Sequence, residues 1–200
     1  SAASGGLNTA VGNQALQFTT GTNNTGIGAY ALNLNTSGQY NTALGKDALT
    51  NNTTASNNTA VGYQAAYSTT TGDLLTAVGQ LALYANTTGA ANSAFGRASL
   101  YANTTGNYNT ALGVQALNAN TTASNNTAVG YQAAYSNTTG TVNAFGYHAL
   151  YYNTTGADNV AIGTNSQLNT TTGNYNTSIG GASLFSNTTA SNNTAVGYQA

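Results

Sequence analysis

The chain has 200 residues, only two Lys or Arg against three acidic side chains, and a formal net charge of −1. Two cations give no electrostatic footprint for nucleic acid. The absence of Cys excludes both a disulfide framework and a thiolate metal site, and no apolar run approaches the ~20 residues of a membrane-spanning helix. Disorder goes with high net charge and few aromatics, whereas this chain is nearly neutral and carries 14 Tyr.

A fixed period overrides ordinary domain counting. Its mark is a Gly preceded by one bulky apolar residue, at Gly12, Gly28, Gly45, Gly62, Gly79, Gly96, Gly113, Gly130, Gly146, Gly163, Gly180 and Gly197. The spacing is 17 residues in nine of the eleven intervals and 16 in the other two. A longer order lies above it: Asn52 to Ser68 recurs letter for letter from Asn120 to Ser136 and begins again at Asn187. Four units therefore form a superunit of 67 or 68 residues.

Within the unit an Asn stands at position one, with Leu75 as the exception. Position four is always apolar, from Val11, Ile27, Leu44 and Val61 through to Ile179 and Val196. Position nine is mostly Leu, with Ala66, Ala134 and Gln167 as departures, and positions three and eight are nearly all Ala. A five-residue apolar spacing among Gly, Asn and Thr opposes a helix. It predicts two short strands per unit, each closed by Gly or an Asn/Thr turn.

Stacked as coils, the units predict an all-β parallel β-solenoid of about twelve coils, rising ~4.8 Å per coil. Positions four and nine are expected to fill a narrow core from two sides. Small residues at three and eight are expected to let a second layer or chain approach. The Gly at position five supplies a corner with a φ that other residues resist. The position-one Asn has two readings, an amide ladder along the axis or a local turn cap, and the two are compatible.

About two large apolar side chains per coil, worth ~1.5–3 kcal/mol each, face ~1–2 kcal/mol of backbone entropy for every ordered residue. A lone thin solenoid is then marginal, which predicts end-to-end stacking, lateral homo-oligomers such as a trimer, or both. The chain opens and closes on fragments of a unit with no cap, so it reads as a single array over 1–200 belonging to a longer chain or a polymer.

The chemistry-bearing residues are few. His148 stands where other units carry Gln14, Gln64, Gln115 and Gln132, which makes it a variant of a surface ladder. Asp47, Asp73 and Asp158 fall in different units, and Lys46-Asp47 reads as a solvated local pair. Calcium-binding β-roll turns carry Asp, whereas these carry Asn and Thr. No catalytic, cofactor-binding or metal-ligating residue is assigned. The regular Gly spacing lacks the Lys and helix of a phosphate loop. Position ten is aromatic at Tyr67, Tyr84, Tyr101, Tyr135, Tyr151 and Phe185, favouring stacking within the solenoid over ligand binding. The Asn86-Thr87-Thr88 and Asn103-Thr104-Thr105 turns match a glycosylation pattern, but the residue types are those of turns first.

Asn159-Val160-Ala161-Ile162-Gly163 and Asn176-Thr177-Ser178-Ile179-Gly180 resemble the head repeats of trimeric autotransporter adhesins, whose own repeat is shorter. Asn58 to Ala66 and Asn126 to Ala134 are similar to the Asn-Thr-Ala-Val-Gly-Tyr-Gln-Ala-Leu arrays of phage tail-fibre-like and bacterial surface proteins, with Ala in the last place. The resemblance implies a parallel β-roll, association of chains and a place on a cell surface or virion. The expectation is an extracellular structural fibre, stalk or tail-fibre shaft without enzyme activity, with adhesion to a surface glycan as an added role. The alternative is a ligand-binding solenoid, either a glycan adhesin or an ice binder.

Overall fold

The computed structural model describes residues 6–200. Twelve short strands follow one another: β1 (Thr9–Val11), β2 (Thr25–Ile27), β3 (Thr42–Leu44), β4 (Thr59–Val61), β5 (Thr76–Val78), β6 (Ser93–Phe95), β7 (Thr110–Leu112), β8 (Thr127–Val129), β9 (Val142–Phe145), β10 (Asn159–Ile162), β11 (Thr177–Ile179) and β12 (Thr194–Val196). Each pairs in parallel with the next, in chain order, in a single sheet. The chain is thus an all-β parallel solenoid, with one strand per coil and no helix among the described residues.

One strand per coil corrects the expected two. Positions six to eleven are a run of turns. In every full coil the residues at positions seven and nine adopt a left-handed backbone, as at Gln64 (φ 54°) and Ala66 (φ 51°), and position seventeen does so in nearly all. For a non-glycine residue this costs roughly 1–2 kcal/mol. Hydrogen bonding explains why it is kept. The amide of Leu81 donates to Tyr63 in the preceding coil at 3.0 Å, and that of Leu83 to Ser99 in the following coil at 3.0 Å. Between them the Ala82 amide turns back to Gly79 O within its own coil at 3.2 Å, so alternate amides point down and up the axis. The corners thereby satisfy backbone groups that an irregular buried turn would orphan.

The core also differs from expectation. Position nine is inside, with Leu32, Leu49, Leu83 and Leu100 fully buried. Position four is not: Phe95 and Leu112 are 41% and 49% exposed. Alternate residues of a strand face opposite sides, and it is Ala at position three (Ala60, Ala77, Ala94) that points inward, fully buried together with position eight (Ala65, Ala82, Ala116). A coil with one three-residue strand is too narrow to hold a large side chain from both walls. Positions three and eight therefore line the interior and offer no approach to a second chain.

The Gly at position five does both things asked of a corner glycine. Gly79 has φ +136°, and a Cβ there would lie 2.6 Å from the carbonyl of Gly96 in the next coil. Coil follows coil too closely for any side chain.

Two columns of buried Asn fill the rest. At position one, the side-chain carbonyl of Asn41 accepts the backbone amide of Asn58 one coil on at 3.0 Å, and its amide donates to Ala55 O at 2.9 Å. The axial role is thus present with backbone as its partner, whereas the local turn cap falls to position twelve, where Asn86 Nδ2 donates to Gly89 O at 3.0 Å. The amide-to-amide ladder runs at position twelve: Asn103 Nδ2 donates to Asn86 Oδ1 at 2.8 Å, and Asn120 Nδ2 to Asn103 Oδ1 at 2.9 Å. The sheet register pairs Asn159 with Val142, so Val142 joins Leu75 as an apolar occupant of position one, both buried. The one-residue deletion before Val142 displaces Asn143 to the exposed position two.

Candidate interaction surface

The strand alternation that buries Ala turns two rows outward. Position two is mostly Thr (Thr59, Thr76, Thr110, Thr127), and position four is Val, Ile, Leu or Phe throughout. Register is kept along the whole sheet, Val61 opposite Val78 and Phe95 opposite Leu112. The result is one apolar ladder and one hydroxyl-methyl ladder side by side on the outer face. Parallel sheets are generally covered on both faces, and this face carries large exposed hydrophobics, Ile162 and Ile179 among them.

Position seventeen borders the same strands and alternates. Tyr40, Leu74, Tyr108 and Tyr175 occupy every second coil where a bulky residue stands, at 59%, 60%, 67% and 62% exposure. The coils between carry Asn57, Ala91, Asn125, Asp158 and Asn192. Thr141 interrupts the bulky series in the 16-residue unit, where the left-handed residue is missing. Asn and Asp tolerate the left-handed region comparatively well, so Asn at φ 60° (Asn57) is at ease where Tyr at φ 58° (Tyr40) is strained.

A second side of the coil is aromatic. Tyr67, Tyr84 and Tyr101 stack at 5.4 and 5.2 Å with planes within 8° and 6°, and Tyr135 stacks on Tyr151 at 5.1 Å. Stacking within the solenoid accounts for these position-ten rings and uses their faces. Tyr131 and Tyr147 at position six stack at 5.5 Å. His148 lies beside them, its ring 4.8 Å from that of Tyr151. Its Nε2 is 2.8 Å from Gln132 Oε1, and Gln132 Nε2 donates to Gln115 Oε1 at 2.8 Å. His148 therefore continues a glutamine ladder, as its position implied. Burial lowers its pKa below the ordinary value. Burial first, then the neighbouring tyrosines, raises the Tyr151 phenol above its own.

The Thr pair of each turn splits its roles. At position thirteen the hydroxyl bonds to the carbonyl of its counterpart one coil on, as Thr87 to Thr104 at 3.0 Å and Thr104 to Thr121 at 3.0 Å. At position fourteen, Thr88, Thr105 and Thr122 are exposed. The preceding Asn86 and Asn103 are fully buried and hydrogen-bonded, which leaves their side-chain amides no access for a glycan in the folded chain.

Charged groups serve as local bonds. Lys46 Nζ lies 3.6 Å from Asp47, Asp73 accepts the Ser56 amide, and Asp158 accepts the Thr141 hydroxyl at 3.0 Å. No group of three or more His, Cys, Asp or Glu that could hold a metal ion exists among the described residues. No helix among them is long and apolar enough to cross a membrane.

One coil carries a polar core. Gln167, at position nine, is fully buried and donates to Val160 O at 2.8 Å and Ser178 Oγ at 3.0 Å. Ser166 bonds both Ser178 and Ser183. Gln167 Oε1 has no partner. The sequence marked Gln167 as the odd occupant of its column. The serines around it, Ser166 in its own coil and Ser178 and Ser183 in the next, were missed; Ser in place of Ala at positions three and eight was the available signal.

The chain matches no protein-family model, no curated protein and no solved structure.

Proposed function

We propose that the chain is a structural rod, an extracellular fibre, stalk or tail-fibre shaft segment that self-associates, without enzyme activity and with any adhesion secondary. The observation that carries this reading is the outer face of the sheet. A parallel sheet with an unbroken apolar ladder on its solvent side lacks the cover that such sheets ordinarily have, and copies of the same rod supply a matching surface. The resemblance to surface-protein and tail-fibre arrays points the same way. The polar side chains that could do chemistry are instead tied to neighbours, His148 to Gln132, Asp73 and Asp158 to adjoining coils and Asp47 to Lys46. Electron microscopy of purified chain should show rods that associate end to end or side by side. Monodisperse monomers at all concentrations would remove this reading.

A second reading, ice binding, draws on one observation: position fourteen presents a Thr in coil after coil, Thr88, Thr105, Thr122, Thr139 and Thr155 all exposed. Thermal hysteresis in dilute solution would favour it over the fibre. Its absence would leave the rod alone.

A further inference from the structure

We infer that a second copy of this chain docks along the row at position seventeen, displaced by an odd number of coils, so that the bulky residues of one copy enter the gaps of the other. This rests on the reading of a self-associating rod and adds its surface and register.

Three observations carry it. First, the row alternates in size with a two-coil period: Tyr40, Leu74 and Tyr108 stand out, Asn57 and Ala91 fall between them, and Asn125 follows. Coils lie ~4.8 Å apart, so bulky residues recur about every 10 Å, with a gap of similar length between. Such a row is complementary to itself only when one copy is shifted. Unshifted parallel rods would set bulk against bulk.

Second, the conformation disfavours the bulky residues. Leu74 and Tyr108 sit at φ 60° and 57°, a region where side chains other than Asn and Asp are uncommon. Neighbouring coils use Asn at this corner, with the same amide bond to the preceding coil: Asn57 N to Gln39 O at 3.0 Å, as Leu74 N to Ser56 O at 3.3 Å. The fold of one coil therefore has no need of Leu or Tyr there, and each is about 60% exposed or more. Strain and exposure together at alternate coils point to packing against another body.

Third, the dimensions suit a stable pair. Eleven steps of ~4.8 Å by five residues of ~3.3 Å, from position seventeen across the Thr and apolar rows, give about 800–900 Å² per copy, the share of each partner in an interface of standard size. No Lys, Arg, Asp or Glu falls at positions two or four, and only Asp158 at position seventeen. Charge repulsion between copies is therefore minor.

The test uses the 200-residue chain and two variants. One replaces the bulky residues by the corner's favoured one (Tyr40→Asn, Leu74→Asn, Tyr108→Asn, Tyr175→Asn). The other fills the gaps (Asn57→Tyr, Ala91→Leu, Asn125→Tyr). Sedimentation velocity should show the parent pairing and each variant alone pairing about tenfold or more weaker. An equimolar mixture of the two variants should recover association, because bulk again meets gap. Should strain keep the filled variant from folding, the Asn variant decides alone. Association unchanged in that variant, or filled rods that pair as well as the parent, would overturn the inference. Long filaments of single width by electron microscopy would overturn it and leave the fibre standing, whereas isolated monomers would remove both.

Discussion

Asn52 Oδ1 has no hydrogen-bond partner because Thr69 stands where the next amide of its column would be. The interruption repeats: Asn153 Oδ1 is likewise unpartnered below Thr170. Elsewhere the column is continuous, as from Asn86 through Asn103 to Asn120. A Thr hydroxyl accepts the amide above it, 3.5 Å from Asn86 Nδ2, yet leaves the carbonyl below without a donor.

Thr69→Asn should close this gap and stabilise the chain by about 1 kcal/mol, the net worth of one buried hydrogen bond. The Thr170→Asn change should do the same, and the two should add, being six coils apart. Urea denaturation midpoints at constant slope measure it. A lowered midpoint in both variants would mean that the column is not the stabilising element it is taken to be.

Core and outer face can be separated by matched deletions. Leu100→Ala opens the buried side and should cost about 2–5 kcal/mol. Leu112→Ala, on the exposed ladder, should change the stability of the single chain by no more than about 0.5 kcal/mol while weakening association. Equal losses from both would return position four to the core.

Gly79→Ala meets two obstacles at once, a φ of +136° and the carbonyl of Gly96 at 2.6 Å. Neither can relax without spreading two coils, so a loss of about 3 kcal/mol or more is expected. Circular dichroism during thermal unfolding is a sufficient readout.

Gln167→Leu restores the residue that its column carries in the neighbouring coils, Leu150 and Leu184, and removes a buried carbonyl that lacks a donor. The expected gain is about 1–3 kcal/mol, read from the thermal midpoint. Loss of stability would show instead that the serines around it depend on Gln167 as their partner.

His148 gives the chain its one titration near neutrality. Burial holds its folded pKa below the ordinary 6.5, so the unfolded chain takes up the proton first as pH falls. Its contribution to stability is therefore complete above about 6.5 and is lost on acidification through the lower folded value. The effect is modest because the ring is only partly buried. His148→Gln, which makes the ladder uniform, should flatten stability between pH 7 and 5.

Much of this was legible in the letters, and the failures share a cause. The 17-residue period, the Gly corner, the Leu column and the place of His148 beside Gln132 all follow from residue types that have one dominant use. Position four did not, because Ala77 and Val78 are both apolar and a pattern of three letters cannot say which points inward. The left-handed corners were illegible for a related reason: Leu83 and Gln64 are not residues that advertise a positive φ, and only the inter-coil bonds of their amides make it worthwhile. The position-twelve ladder hid behind its own turn, since Asn-Thr-Thr reads as turn chemistry whether or not the amide reaches the next coil.

The repeated superunit has a consequence for how such a molecule changes over generations. Asn52 to Ser68 and Asn120 to Ser136 are identical, and Tyr40, Tyr108 and Tyr175 hold φ values of 58°, 57° and 56°. Each coil meets only its neighbours, so a block of four can be duplicated or excised at matching points without creating a junction the protein does not already contain. Every such event lengthens or shortens the rod by about 19 Å. Reach then becomes a heritable dimension, set by slippage between identical stretches of gene and open to selection in discrete steps.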